Sequence, residues 1–600
     1  MIAFGKGQKF DLVQCPYGRH GSGLYLYEDY EQPIIHMANF KASSLMSGSD
    51  FIFDLQVLQR DKSVRYSYYA DEGSLKMTQY GDAHGCVEAV LTYYNYARFR
   101  GNCGFRIVLN PLPAKDGAVA CKGVFKFLDN SGVEADFGEY GRMYFRAIHG
   151  ELSVNAEFDY AIGRYKSFAI EIQADDETGR FDLAVHENLT GANHYSDDYK
   201  PFDELISENR SDLAEFKKNY TQVAKGYEDT AEYAMWLIWS HRVKPEGYYK
   251  TPMILMHLQY LNACASWQQS YNAMPMQRNP REAWRQICSL FEHQDEETGK
   301  LPGMLFYSGA GAMQSPFQGF ALDFVIRQCG DSFLTEAECK KMYPKFSKWI
   351  EFWVKYRSAK QGDDVVAVTT QHDSGWDDAT IFKNGFPVST PDIAALLIVL
   401  MECTARLARG AGDTEGEESW KARADRLLDT LINDFWDGEK FAAIKKGEKL
   451  TDSMSFVNYQ AILLGDRLPP HIIDKIAEKL TAEGEFLSPI GLCTESMKSP
   501  LCTWGHSFVR GRVIVAVNMI LSVGLHLAGK KKEASMIARR ICDKIKQDGM
   551  ILGFAPPYSH YPLTGAKVEL DVPPLVTDPW PWNTWAANCF LTMAASVIED

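Results

Sequence analysis

The chain has 600 residues, 46% hydrophobic and 24% charged, which is ordinary globular composition with enough apolar side chains for a sizeable core. That length exceeds what one core organises, so two or more domains are expected. The 63 Lys and Arg against 78 Asp and Glu leave a net charge of −15, which argues against nucleic acid and anionic membranes as partners, because both select basic patches.

The first residues, MIAFGKGQKFDLV, lack the basic segment and apolar run of a secretory signal, and no stretch approaches the roughly 18 apolar residues of a membrane span. Thirteen cysteines lie scattered without C-x-x-C pairs, which suits a reducing compartment and offers neither a disulfide framework nor a zinc site. A cytoplasmic protein is expected.

Up to about residue 215 the sequence alternates apolar and polar residues in short runs separated by turn residues. "FIFDLQVL", "VRYSYYA", "GVFKFL" and "ELSVNAEFDYAI" read as strands, and "FAIEI" and "FDLAVH" around "QADDETGR" read as a hairpin. Residues 1–215 are therefore expected to form a β-sandwich. A charged connecting segment, "SENRSDLAEFKKNYTQVAKGYED", contains the expected linker at 216–226.

From 227 to 600 the period is helical. "TAEYAMWLIWSHR" is apolar on nearly every face, as a buried inner helix would be. Asn279 and Pro280 are a cap and first-turn pair before a stripe of Trp284, Ile287, Cys288 and Phe291. Thr390, Pro391 and Asp392 open a helix whose one face carries Ile393, Leu396, Leu397, Leu400 and Leu407, with Gly410 as its stop. Trp420, Leu427, Leu428, Leu431 and Phe435 mark the next. About a dozen helices follow from the periodicity, and six helical hairpins suit a closed (α/α)6 barrel, with a helical solenoid as the alternative. The expected fold class is α+β multidomain, an N-terminal β-sandwich followed by an (α/α)6 barrel.

The stretch "QHDSGWDDATIF", Gln371 to Phe382, crowds a histidine and three aspartates around a tryptophan just before the Thr390 cap, where a barrel gathers loops at one mouth. Its S-G-W-D pattern resembles the clan of inverting (α/α)6 glycosidases that includes trehalases, glycoside hydrolase family 63 and their mannosylglycerate-hydrolase-like relatives. A second segment, "PIGLCTESMKSPLCTWGHSFVRG" from Pro489 to Gly511, is similar to these relatives at Gly491, Leu492, Thr494, Glu495, Ser496, Arg510 and Gly511. Weaker similarities lie at "WQQSYNAMPM", "ETGKLPG" and "PWNTWAANCF". The resemblance covers about 230 to 598.

The resemblance implies that Asp377 is the general acid and that Asp373 stands where relatives often have glutamate. Two positions depart from the pattern. Trp267 is followed by Gln268 where relatives have an aspartate that holds the sugar, and Pro556 occupies the place of the catalytic base. Inverting hydrolysis needs a protonated carboxyl and a second carboxylate about 6.5–9.5 Å away to activate water. Glu495, or else Glu569, Asp571 or Asp578 in the proline-rich stretch beyond Pro556, is the expected replacement.

Trp376 beside Asp377 is expected to form an apolar wall that raises the acid's pKa. With Trp267, Trp582 and Trp585 it is also expected to offer aromatic faces to a sugar. Arg510 is suited to a bidentate pair with either a substrate or a carboxylate. The plain alternatives are that Asp373, Asp377 and Asp378 are turn residues over a core Trp376, and that Glu495 pairs with Arg510. His372 beside Asp373 lacks a third ligand at suitable spacing, so no metal is expected, and no organic cofactor is implied.

The expected function is hydrolysis of a small oligosaccharide or glycoside, α-glucoside-like, with a small carbohydrate as substrate and neither nucleic acid nor membrane as partner. The rivals are a non-hydrolytic carbohydrate-active enzyme of epimerase, lyase or phosphorylase type, and a non-catalytic carbohydrate-binding protein on the same barrel. The sequence carries no signal for oligomeric state.

Overall fold

The computed structural model describes residues 12, 15–28, 34–44, 48–49, 52–81, 84–110, 112–113, 119–120, 124–129, 131–136, 142–161, 163–187, 197–258, 261–360, 363–503, 507–548, 554–555 and 582–599. Alternating side chains in the first part build two antiparallel sheets. The first runs in the order Leu24–Glu28, Ile35–Asn39, Ile52–Gln59, Gly104–Leu109, Arg164–Gln173, Glu151–Asp159. The second runs Val124–Asp129, Gly132–Asp136, Arg142–His149, Phe181–His186, Tyr96–Gly101, Cys86–Leu91, Leu75–Gln79, Tyr66–Ala70. Along Ile52–Gln59 every second residue, Phe53, Leu55 and Val57, is buried, as a period of two requires of a strand with one face in the core. The sheets meet through aromatic pairs such as Phe53 with Phe145 at 6.1 Å and Phe99 with Phe105 at 5.2 Å between ring centroids.

The expected hairpin of "FAIEI" and "FDLAVH" is not formed. Arg164–Gln173 pairs with Glu151–Asp159 in the first sheet, and Phe181–His186 lies in the second. The turn at Asp175–Arg180 therefore carries the chain from one sheet to the other. Alternation marks both strands but does not distinguish a hairpin from a crossing between two sheets that share one core.

Helix α1 (Phe202–Lys217) connects the two parts, with Phe202, Leu205 and Ile206 packed on Val90 and Tyr96 of the second sheet. Thereafter the chain is helical. In order come α2 (Glu228–Ser240), α3 (Ser266–Ala273), α4 (Pro280–Cys288), α5 (Gln318–Cys329), α6 (Glu336–Arg357), the single turn α7 (Gln371–Ser374) and α8 (Pro391–Ala411). Then follow α9 (Thr414–Thr430), a 3₁₀ helix (Phe456–Arg467), α10 (Pro470–Thr481), α11 (Val515–Leu527), α12 (Lys531–Asp548) and α13 (Thr584–Ser596).

Helices α3, α5, α8, the 3₁₀ helix, α11 and α13 each pack on the next, and α13 packs back on α3, so the ring closes. The outer layer is α2, α4, α6, α9, α10 and α12, giving six outer–inner pairs and an (α/α)6 barrel. The inner helices run parallel, because their starts touch one another. Gln318 Nε2 of α5 donates to Ser266 Oγ of α3 at 2.8 Å, and Gln268 Nε2 of α3 donates to Thr584 Oγ1 of α13 at 2.7 Å. At the opposite end Arg327 and Arg467 tie the ends of α5 and the 3₁₀ helix through Asp466 and Asp323.

Helix α2 corrects one expectation. It belongs to the outer layer, packed on α13, and its remaining faces meet the sandwich side, where Tyr17 lies 5.8 Å from Trp236 and Asp212 accepts Trp239 Nε1 at 2.7 Å. All-round apolarity reports burial on both sides here, not a place in the inner ring. Gly410 is likewise no stop: α8 ends at Gly412 with φ 87°, and a Cβ at Gly410 would collide with Cys339 Sγ of α6. That glycine permits close helix packing. No helix among the described residues is long and apolar enough to cross a membrane.

Candidate active site

The loop Gln371–Phe382 lies on the side of the barrel where the inner helices begin. Its single turn α7 is closed by Gly375, whose φ of 81° needs a residue without Cβ and whose amide donates to Gln371 O at 2.8 Å. A Cβ there would also stand 2.9 Å from the Trp267 ring. The next residue, Trp376, is driven inward to 1% exposure, 4.9 Å from Trp267 and 4.9 Å from Phe456 in edge-on contacts. With the indole anchored between the starts of α3 and the 3₁₀ helix, the chain emerges at Asp377, whose side chain is 48% exposed.

Other polar groups of the loop are fastened. Asp373 is buried and accepts from Arg357 Nε at 2.8 Å and Nη2 at 3.3 Å, and from the amide and hydroxyl of Thr369, each at 2.8 Å. Ser315 Oγ donates to Ser374 O at 3.0 Å. Asp378 accepts the amides of Phe508 at 3.1 Å and Val509 at 2.7 Å, and faces Arg510 Nε at 3.4 Å. Thr380 Oγ1 donates to Glu495 Oε2 at 2.8 Å, while Ser499 Oγ donates to Glu495 Oε1 at 2.6 Å.

The electrostatics separate the carboxylates. Partial loss of hydration raises the Asp377 carboxyl above the usual range; His372, 4.0 Å away, opposes the rise and Asp378 adds to it. Asp373 is shifted the other way: burial alone would raise it, but the Arg357 and Thr369 hydrogen bonds outweigh burial and hold it low. Glu495 is fully buried, which raises its carboxyl against the lowering effect of Ser499 and Thr380. Asp392, at the start of α8, is also fully buried, and its carboxyl is pushed up to about 6 by desolvation.

Of the residues singled out from sequence, Asp377, His372, Asp373, Trp376 and Trp267 come together, and Arg510 and Glu495 join them through Asp378 and Thr380. Trp376 supplies a floor beneath the loop and has no exposed face to offer a sugar, whereas Trp267, against Gly375, is only partly buried. Gln268 points away into the barrel wall, where it bonds Thr584. Trp585 is buried in the first turn of α13, and Trp582 stacks on His257 at 5.6 Å. Pro556, Glu569, Asp571 and Asp578 lie outside the described residues.

Arg357, Thr380 and Ser499 escaped sequence reasoning. Arg357 ends a helix sixteen positions before its partner, and no local pattern links the two. Ser499 lies four residues after Glu495, a spacing that suggests contact only in a helix, and this segment is not one. Among the described residues no group of three or more His, Cys, Asp or Glu is arranged to hold a metal ion.

Comparison with known proteins supplies the family. Residues 259–574 match the model of the mannosylglycerate hydrolase MGH1-like glycoside hydrolase domain. A search of curated proteins returns no match. Among solved structures, a bacterial glucoamylase complexed with acarbose superposes over 100% of this chain and 96% of its own, at TM-score 0.58 and 10% identity, which supports the sandwich-plus-barrel fold. The family 63 mannosylglycerate hydrolase from Thermus thermophilus in complex with glucose covers 60% of this chain and 98% of its own, at TM-score 0.48 and 13% identity. The family match spans more than half of the 600 residues and takes in both the Asp377 loop and the Glu495 segment, so this chain belongs to the mannosylglycerate hydrolase MGH1-like glycoside hydrolases and is a glycosidase.

Proposed function

We propose that this glycosidase inverts a small glycoside, with Asp377 as the general acid. The observation that carries the reading is an accessible carboxyl with a raised pKa on a loop held in place at Asp373, Ser374, Asp378 and Thr380. An acid for a glycosidic oxygen must be protonated near working pH and held still. Arg510, one third exposed and turned to Asp378 through Nε, is a cation beside the same loop. It suits an anionic aglycone, so mannosylglycerate, which gives the family its name, is the first substrate to try beside α-glucosides. The reading assigns catalysis to 227–600, with 1–215 as the sandwich domain and 216–226 between them. The reading places the protein in the cytoplasm, whose reducing conditions suit thirteen cysteines scattered without C-x-x-C pairs.

The test is to follow hydrolysis of these substrates by proton NMR. The β-anomer of the sugar should appear first from an α-glycoside; appearance of the α-anomer first, or the absence of any cleavage, removes the inverting reading.

Asp378→Asn probes the acid's tuning. Removing the neighbouring negative charge stabilises ionised Asp377 and lowers its pKa, so the alkaline limb of the kcat/KM profile should move to lower pH. An unmoved limb would show that Asp378 does not tune the acid.

Glu495 is placed here as a residue that holds the loop, with the water-activating base sought at Glu569, Asp571 or Asp578. A base must reach the attacking water, and both Glu495 oxygens are buried and occupied by hydroxyls. Glu495→Gln preserves hydrogen bonding to both hydroxyls once these reorient, and should keep turnover within about tenfold of the parent. Abolished turnover that azide restores would instead make Glu495 the base.

A further inference from the structure

Lys41 lies in the short 3₁₀ turn Phe40–Ala42 of the sandwich. Its side chain is 3% exposed and stands between two carboxylates, Glu187 Oε1 of the sandwich at 3.3 Å and Glu246 Oε2 of the loop after α2 at 2.9 Å. Glu187 is fully buried, and its second oxygen accepts the amides of Gly23 at 2.5 Å and Leu24 at 2.7 Å. The second oxygen of Glu246 accepts Tyr307 Oη at 3.2 Å, and the Lys41 ammonium also lies 5.6 Å from the Tyr307 ring centroid. Burying an ion cluster costs desolvation, and an apolar joint would hold two domains together at least as well. The location of the cluster is therefore more informative than its strength.

Tyr307 sits in the turn of the hairpin formed by Met304–Phe306 and Gly309–Gly311. Met304–Phe306 also pairs with Cys264–Ala265, which runs straight into α3, and the Ser266 amide donates to Gly303 O at 2.8 Å. The second residue of α3 is Trp267, the ring that covers Gly375 and meets Trp376. Beyond the hairpin the chain reaches Ser315, whose hydroxyl holds Ser374. A second tie from the sandwich enters alongside, Asn262 Nδ2 donating to Phe40 O at 2.9 Å.

We propose that Lys41 is a positioning residue for the active site: through Glu246 and Tyr307 it fixes the hairpin that seats Trp267 and Ser315 against the Asp377 loop. This gives the sandwich a part in setting the site's geometry beyond adhesion. The inference rests on that loop being the active site.

The experiment uses the full chain with Lys41→Gln and Tyr307→Phe, the latter removing one hydroxyl only, so it remains informative if the former misfolds. Backbone hydrogen exchange read by mass spectrometry should speed up about fivefold or more at 264–273 and 303–315 in each variant, with α8 unchanged. Acceleration confined to 22–41 and 181–187 would overturn the proposal. In activity, with 4-nitrophenyl α-mannoside and α-glucoside as probes, Lys41→Gln should lower kcat/KM about tenfold in the parent and much less in a Trp267→Ala background, because interacting residues are non-additive. Independent, multiplying effects would also overturn it. If the parent cleaves neither probe, the active-site reading is what loses support, and the exchange pattern still decides the role of Lys41.

Discussion

Asp377→Asn is expected to fold normally and to lower turnover by about 10²–10⁴, the range for losing a positioned general acid. The side chain is half-exposed and makes no hydrogen bond to the loop's anchors, which are Asp373, Ser374, Asp378 and Thr380, so the amide should not disturb the fold. Leaving-group dependence supplies the sharper test. Glycosides of acidic phenols need little protonation and should lose least, whereas alkyl glycosides should lose most. Equal losses across such a series, or full activity in a well-folded variant, would take Asp377 out of the proton transfer.

Asp373→Ala is expected to cost about 3 kcal/mol of stability, the low end for removing one partner of a buried ion pair. The low end applies because Arg357 keeps 23% of its side chain exposed and regains some hydration, while the Thr369 amide and hydroxyl also lose their acceptor. The pH dependence has a definite sign. A carboxyl whose folded pKa is depressed contributes stability that is complete above its unfolded pKa of about 3.9 and fades as pH falls through the lower folded value. Thermal unfolding of parent and variant should thus differ by the same amount from neutral pH down to about pH 4, and converge below it. A difference no larger than that of a substitution at an exposed aspartate would show that Asp373 is not the loop's anchor.

Local chemistry made much of the architecture legible. The change from period two to period 3.6 separated strands from helices, and Asn279 caps α4 as read, accepting the Glu282 amide at 3.2 Å ahead of Pro280. Pro391 opens α8 in the same way. The S-G-W-D turn stood out through its resemblance to family relatives, and it lies where the inner helices begin, against Trp267 at the start of α3 and Phe456 of the 3₁₀ helix.

The sequence by itself determined which segments are strands or helices, where several begin, and that Asp377 stands on a loop before α8, because these follow from residues within a few positions of one another. It did not determine which surface each element buries. Phe168–Ile172 and Phe181–His186 joined different sheets, all-apolar α2 lay between barrel and sandwich, and Trp376 turned under its loop instead of toward a ligand. Those outcomes were decided by partners distant in the chain: Arg357 for Asp373, Val509 for Asp378, and Glu495 for Thr380, 115 residues away. A periodic pattern states that a face is apolar or that a carboxylate needs a partner. Only closure of the barrel, which brings the inner helix starts to one rim, decides which carboxylate is occupied by partners and which is left exposed.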